Sequence, residues 1–141
     1  MLVVNDIGLI NGLKALRLFS IGEFHFSELY MHDSYLTPVE RQSIKNHAEN
    51  KEIVVFEPGS GFFDFYCKCE DDCPITMPGL SSVYYARENN MVMVTNSRID
   101  RKVAEQYGVS VCDCEEAFRN LNVQQGYIDF LMKFINGATT A

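Results

Sequence analysis

MVMVTNSRIDRKVAEQYGVSVC, residues 91–112, is the stretch that decides the fold of this chain. Residues 91–94 form a continuous apolar run, which is typical of a strand buried on both faces of a parallel sheet. Residues 98–107 carry apolar side chains at helical spacing, and Gly108 stands where a helix would end. Residues 109–112 are a second apolar strand. This order predicts two parallel strands joined by a helix.

Strands and helices alternate in the same way on both sides of this unit. Three further strands are predicted at residues 3–5, 23–26 and 53–56. Thr37, Pro38 and Glu40 form a strong helix start, with Ser27 as the predicted cap of an earlier helix. The other predicted helices cover residues 9–18, 62–69, 78–89, 115–121 and 125–135. We therefore expect a single domain over residues 1–141, with a three-layer α/β/α fold and a central, mostly parallel sheet.

The composition describes an ordinary soluble domain. The chain has 141 residues, of which 47% are hydrophobic and 22% charged, enough to bury a full core. The longest apolar runs are too short to cross a bilayer, and the N-terminus does not resemble a signal peptide, so we expect a cytoplasmic protein without membrane contact.

The net charge is −7, and Lys and Arg form no run. Proteins that grip nucleic acid by its phosphates usually carry a basic patch, so the charge argues against a plain nucleic-acid-binding module. It argues less against a metal-dependent nuclease, whose acidic site becomes cationic once the metal binds. The five cysteines lack the C-x-x-C spacing of structural zinc sites, and we expect reduced thiols.

Two segments of the chain resemble the PIN nuclease family. Residues 2–10, LVVNDIGLI, look like the opening strand, turn and helix of that family. Residues 75–111 follow the order of its latter half: a helix through Ser81 and Ala86, a strand ending in Thr95, and a helix closed by glycine and valine. The resemblance covers about residues 1–121, and its specificity lies in the joint order and spacing of these elements.

The resemblance implies a particular chemistry. PIN domains gather three or four carboxylates at the carboxyl edge of a parallel sheet. These carboxylates hold one or two Mg²⁺ or Mn²⁺ ions, which activate water for attack on an RNA phosphodiester. The family also implies a homodimer, and its toxin members pair with a small antitoxin protein.

The first two acid positions of this pattern are occupied by carboxylates. Asp6 matches the first position if the turn after the strand is one residue shorter than usual, whereas an alignment without that gap places Asn5 there. Counting from the Ser27 cap places Asp33 at the second position. The resemblance therefore assigns Asp6 and Asp33 as the residual catalytic acids, and as the metal ligands if a metal binds.

The third and fourth acid positions are degenerate. Alignment through Ser81 and Ala86 places Gly79 at the third position, and Asn96 and Ser97 stand at the fourth. Gly79 and Ser97 supply no anionic oxygen, and Asn96 offers a neutral one. Asp100 lies nearby, one turn into the next helix, where we expect a solvated charge.

Three functions are compatible with these observations. The leading expectation is a PIN-like domain that has lost ribonuclease activity and acts by binding a protein partner or RNA, without a cofactor. The alternative is an active Mg- or Mn-dependent endoribonuclease of the toxin–antitoxin type that uses Asp6 and Asp33. An unrelated small α/β binding protein is the third reading, since a fold alone does not fix function.

Overall fold

A five-stranded, all-parallel sheet lies at the centre of the computed structural model, which describes residues 1–32, 35–69 and 75–137. Its strands in chain order are β1 (Leu2–Val4), β2 (Phe24–Ser27), β3 (Val54–Phe56), β4 (Val92–Val94) and β5 (Val111–Cys112). Their spatial order is β3-β2-β1-β4-β5. The predicted sheet is confirmed, and every strand pair in it is parallel.

Seven α-helices surround this sheet in the described part of the chain. They are α1 (Ile7–Leu16), α2 (Pro38–Glu49), α3 (Phe62–Lys68), α4 (Met77–Glu88), α5 (Arg98–Gln106), α6 (Cys114–Asn120) and α7 (Gln125–Gly137). Two short 3₁₀ helices, Phe19–Ile21 and Glu28–Met31, flank β2. No helix of the described ranges combines the length and the apolar character that crossing a membrane requires.

Two hydrophobic cores, one on each face of the sheet, produce the three layers. Val4 and Val94 point into a core with residues of α1, α2, α6 and α7. Their neighbours Val3 and Met93 point into a second core with residues of α3, α4 and α5. Successive side chains of a strand face opposite sides, so both faces of the short apolar strands are covered. The predicted α/β/α fold is confirmed.

Close packing between α1 and α7 depends on two glycines. A Cβ atom at Gly12 would lie 2.8 Å from Cδ2 of Leu131, and one at Gly8 would lie 3.3 Å from Cγ2 of Ile135. These distances leave little or no room for a side chain. The two helices therefore touch through backbone on one side and large side chains on the other.

Most predicted boundaries agree with the structure to within two residues, and the differences have local causes. The Thr37–Glu40 capping box is present at the start of α2. β5 is shorter than predicted because Val109 is bonded to the end of α5. Its N–H donates to the carbonyl of Ala104 (3.0 Å). β4 loses its first predicted residue for the same reason, since the N–H of Met91 donates to an α4 carbonyl.

The helix predicted after Ser27 is wrong in type. Ser27 does cap a helical turn, because its Oγ accepts from the N–H of Leu29 (3.2 Å), but that turn is the four-residue 3₁₀ helix Glu28–Met31. The predicted helix extended to Asp33, which lies outside the described residues.

The chain crosses from one half of the sheet to the other between β3 and β4. The first three strands step outward from β1 to β3, and β4 then returns to the other side of β1. In open parallel sheets, ligands bind outside the carboxyl ends of the strands at the point where the order reverses. This rule directs attention to the ends of β1 and β4.

Candidate functional site

Polar side chains converge where β1 and β4 end. Asn5 and Asp6 follow β1, and Thr95 is the first residue after β4. The backbone N–H of Asn5 donates to the carbonyl of Val94 (2.9 Å), which holds the two strand ends together. This carboxyl edge is the region where the carboxylates of a metal site were expected.

Asn5 lies at the centre of the cluster, and only 6% of its surface is exposed. Its Nδ2 donates to Oδ2 of Asp100 at 2.5 Å. Its Oδ1 accepts from the hydroxyl of Ser82 (3.3 Å) and from the hydroxyl of Tyr30. Because both ends of the amide have partners, its orientation is fixed by the surrounding donors and acceptors.

Asp6, the predicted first acid, is half-buried at the start of α1. Its Oδ1 accepts from the N–H of Gly8 (2.8 Å), so the carboxylate serves as the N-cap of the helix. Burial raises the pKa of Asp6, while backbone N–H donors, including those of Leu9 and Asn96, oppose the rise. Helix capping is thus a structural role that Asp6 performs whether or not a ligand binds.

The expectation that Asp100 is a solvated charge is wrong. The residue is half-buried, and its carboxylate is bonded to the amide of Asn5. A Cβ atom at Gly79 would lie 3.1 Å from Oδ2 of Asp100. The carboxylate of Asp100 therefore lies beside the degenerate third acid position. Burial raises its pKa, and hydrogen bonds from Asn5 and Ser97 oppose that rise.

Tyr30 closes the cluster from the second 3₁₀ helix. Its ring stacks on Phe26 with centroids 5.0 Å apart, and its hydroxyl donates to Oδ1 of Asn5. Burial raises the pKa of Tyr30, and the charges of Asp100 and Asp6 raise it further. Tyr30 therefore stays protonated and acts as a donor. Its proximity to both acids was not visible from the sequence, since only the fold brings it to β1.

Asn96 and Ser97 are exposed, and the side chain of each accepts a hydrogen bond from a backbone N–H at the start of a helix. Oδ1 of Asn96 accepts from the backbone N–H of Cys114 (3.1 Å) at the start of α6. Oγ of Ser97 accepts from the N–H of Asp100 (3.3 Å) and caps α5. Asp33, the predicted second acid, lies outside the described residues, so its pairing with Asp6 stays a prediction.

A cavity of about 310 Å³ adjoins this cluster on the β5 side. Both signs of charge line it: Arg98 and Arg101 are basic, and Asp113 and Glu115 are acidic. Its size and mixed charge suit a side chain of a partner better than a polyanion.

The donor set at the carboxyl edge does not fit a cage of three or four carboxylates. Within residues 1–32, 35–69 and 75–137, no group of three or more His, Cys, Asp or Glu is placed to hold a metal ion. A hard divalent cation needs several free oxygen ligands. Here the oxygen of Asn5 already accepts from Tyr30 and Ser82, and Asp100 already accepts from Asn5.

The described cysteines form no disulfide with one another. Cys67, Cys69, Cys112 and Cys114 are all free thiols, while Cys73 lies outside the described residues. Burial raises the pKa of Cys112 to about 11 and also raises that of Cys114. Buried protonated thiols are poor nucleophiles and poor metal ligands.

Comparisons with known proteins add no relative to this picture. No protein-family model, no curated protein and no solved structure matches the chain.

Proposed function

We propose that this chain is a PIN-like domain that has lost metal-dependent ribonuclease chemistry and acts by binding. One observation supports this most directly: the Asn5 amide donates to the Asp100 carboxylate at 2.5 Å. In a metal site, a cation would neutralise that carboxylate. Here a neutral N–H donor satisfies it.

Binding a metal would compete with this network. The carbonyl oxygen of Asn5 and the carboxylate of Asp100 already accept hydrogen bonds, so an ion that took their lone pairs would weaken or displace those bonds. Leaving a buried donor unsatisfied costs on the order of 1–3 kcal/mol. Burial raises the pKa of Asp6 and that of Asp100, so burial by itself disfavours the charged forms that would bind a metal.

The charge of the chain favours a protein over RNA as the ligand. The net charge of −7 repels a polyanion. The cavity at the carboxyl edge offers both signs of charge, as protein interfaces do. The proposed partner is an antitoxin-like protein or a second copy of the chain, and the proposed location is the cytoplasm.

The test is a calorimetric titration of the full chain with Mg²⁺ and with Mn²⁺. We expect no binding at concentrations up to about 1 mM. The matched variants are Asp100→Asn and Asp6→Asn. The control is Asp129→Asn, at an exposed position on α7. Micromolar binding by the wild type that both edge variants abolish, and the control retains, would overturn the proposal.

A second candidate has one observation in its favour. The position of Asp100 beside Gly79 supplies a carboxylate near the degenerate third position. Together with Asp6 and Asp33 it would form the altered acid set of a Mg- or Mn-dependent endoribonuclease. The assay is cleavage of a labelled RNA with Mn²⁺. Cleavage that chelator and Asp100→Asn both abolish would establish the enzyme, and cleavage that chelator leaves intact would exclude metal catalysis.

A further inference from the structure

A larger cavity lies at the opposite edge of the sheet, where β2 and β3 begin. Its volume is about 850 Å³, within the range of small-molecule sites. The ends of α1 and α2 and the first 3₁₀ helix form its walls. Its lining includes Lys14, Arg17, Phe19, His47, Lys51 and Val54.

The lining of this cavity is positive although the chain is acidic. Lys14, Arg17 and Lys51 supply three of the twelve Lys and Arg side chains of the protein. The lining also holds two carboxylates, Glu23 and Glu52, whose partners are the imidazoles of His25 (3.1 Å) and His47 (3.0 Å). Three cations therefore line the cavity against two carboxylates, which leaves an excess of positive charge.

Arg17 and Lys51 form no ion pair with any carboxylate of the described residues. Lys14 bonds to the neutral hydroxyl of Ser43 (3.1 Å). An excess of cations around a ligand-sized cavity attracts an anion.

The backbone at two of these cations is unusual. Arg17 has a φ of 54° and Lys51 a φ of 60°, the left-handed region that favours glycine. Arg17 is the C-cap of α1, and Lys51 follows the end of α2. At both positions a glycine would be easier to accommodate, yet both carry a long cationic side chain that reaches the same cavity.

We propose that this cavity binds a phosphorylated small molecule of mononucleotide size. Lys14, Arg17 and Lys51 hold the phosphate. The exposed Val54 forms the wall for the rest of the ligand, together with the small exposed parts of Phe19 and His47, whose ring centroids are 4.6 Å apart. The helix ends beside the cavity carry negative partial charge, so attraction for the phosphate comes from the side chains alone.

The helix ends also define the competing explanation. A basic residue near a helix C-terminus stabilises the helix without binding anything. If that is the only role of Arg17 and Lys51, their replacement lowers stability and leaves ligand binding unaffected. If they bind phosphate, the replacement weakens ligand binding and leaves the fold intact.

The experiment is an NMR titration of the ¹⁵N-labelled full chain with AMP, inorganic phosphate and adenosine. We expect AMP to shift the amides of Ser20, Gly22 and Val54 and to leave that of Asp100 unmoved. Phosphate alone should bind more weakly, and adenosine should not bind. No shift at the cavity with about 10 mM AMP or phosphate would overturn the proposal.

The matched variants separate charge from backbone. Arg17→Gly/Lys51→Gly keeps the left-handed geometry and should weaken AMP binding on the order of tenfold for each cation removed. Lys14→Gln removes the third cation without touching the backbone. Lys102→Gln, exposed on α5, and Asn122→Gly, another left-handed position (φ 61°), are the controls.

Two further results would refute the assignment. AMP affinity that is unchanged in both the double glycine variant and Lys14→Gln would show that the cations do not hold the phosphate. A short single-stranded RNA that binds at the cavity more tightly than AMP would show that the ligand is a nucleic acid. Neither result depends on metal binding at the carboxyl edge. Failure of this proposal can therefore be distinguished from failure of the proposed function.

Discussion

Replacing Asn5 by aspartate places a carboxylate directly opposite that of Asp100. The change is nearly isosteric, but Nδ2, which donates to Oδ2 of Asp100 at 2.5 Å, becomes an oxygen. A hydrogen bond is thereby exchanged for a contact between like charges. The Oδ1 side of the residue still accepts from Tyr30 and Ser82, so the effect concentrates on the pair with Asp100.

The size of the effect follows from the separation of the two groups. Two carboxylates about 4 Å apart repel by about 4 kcal/mol at an effective dielectric constant of about 20. Asp100 is partly exposed, and screening together with proton uptake reduces this figure. We expect the free energy of unfolding at pH 7 to fall by about 2–3 kcal/mol, which corresponds to a Tm lower by roughly 5–10 °C.

Thermal unfolding of wild type and Asn5→Asp at several pH values measures this cost. The added carboxyl has a raised folded pKa, so the deficit should shrink as pH falls towards about 4. Mn²⁺ should restore stability by about 2.7 kcal/mol at a hundredfold excess over its Kd, because three carboxylates then meet at the edge.

Two control variants accompany Asn5→Asp. Asn5→Asp/Asp100→Asn exchanges acid and amide and should recover most of the loss, whereas Asn90→Asp, exposed at the end of α4, should change little. If Asn5→Asp is as stable as wild type at pH 7, or if the exchange recovers nothing, the amide–carboxylate bond does not organise this edge.

Three other predictions address separate features. Burial raises the pKa of Asp100, so this carboxyl contributes stability that is present at low pH and lost as pH rises through its folded pKa. Urea unfolding of Asp100→Asn between about pH 4 and 7 should lack that decline, and an unchanged pH slope would contradict the burial argument. Arg17→Gly/Lys51→Gly should gain about 1 kcal/mol in guanidinium unfolding, since relief at two left-handed positions exceeds the lost charge at the helix ends. A loss of stability would mean that these side chains brace the fold. With a pKa of about 11, Cys112 should react with iodoacetamide about a hundredfold more slowly than exposed Cys67 by mass spectrometry, and equal rates would contradict its burial.

The elements of the fold were predictable because their signals are local. The apolar run at residues 91–94, the capping box at Thr37 and the glycine at 108 each act over one helical turn or one strand. Where the prediction failed, a longer-range interaction prevailed. Ser27 signals a helix start, but its Oγ also meets that of Ser81 on α4 (2.6 Å), which ties the turn after β2 to another element.

The candidate site was predictable only in part, since its partners are distant in sequence. Asp6 and the carboxyl edge follow from the end of the first strand. The bond between Asn5 and Asp100 joins residues 95 positions apart, and no periodicity encodes it. One signal was available: Gly79, Ser81 and Ser82 give α4 a small-residue face, which leaves room for a side chain from a neighbouring helix. The side chain that lies beside Gly79 is that of Asp100.

The glycine-dependent contact between α1 and α7 affects the order of assembly. Gly12 on α1 packs against Leu131 on α7, so α1 leaves the ribosome well before the helix that covers it. Until residue 131 emerges, the apolar face of α1 lacks its cover, and β1 still awaits β4 on one side. Contacts of such sequence separation slow folding and lengthen exposure of apolar surface. Docking of α1 on α7 should therefore be a late step in the folding of the chain.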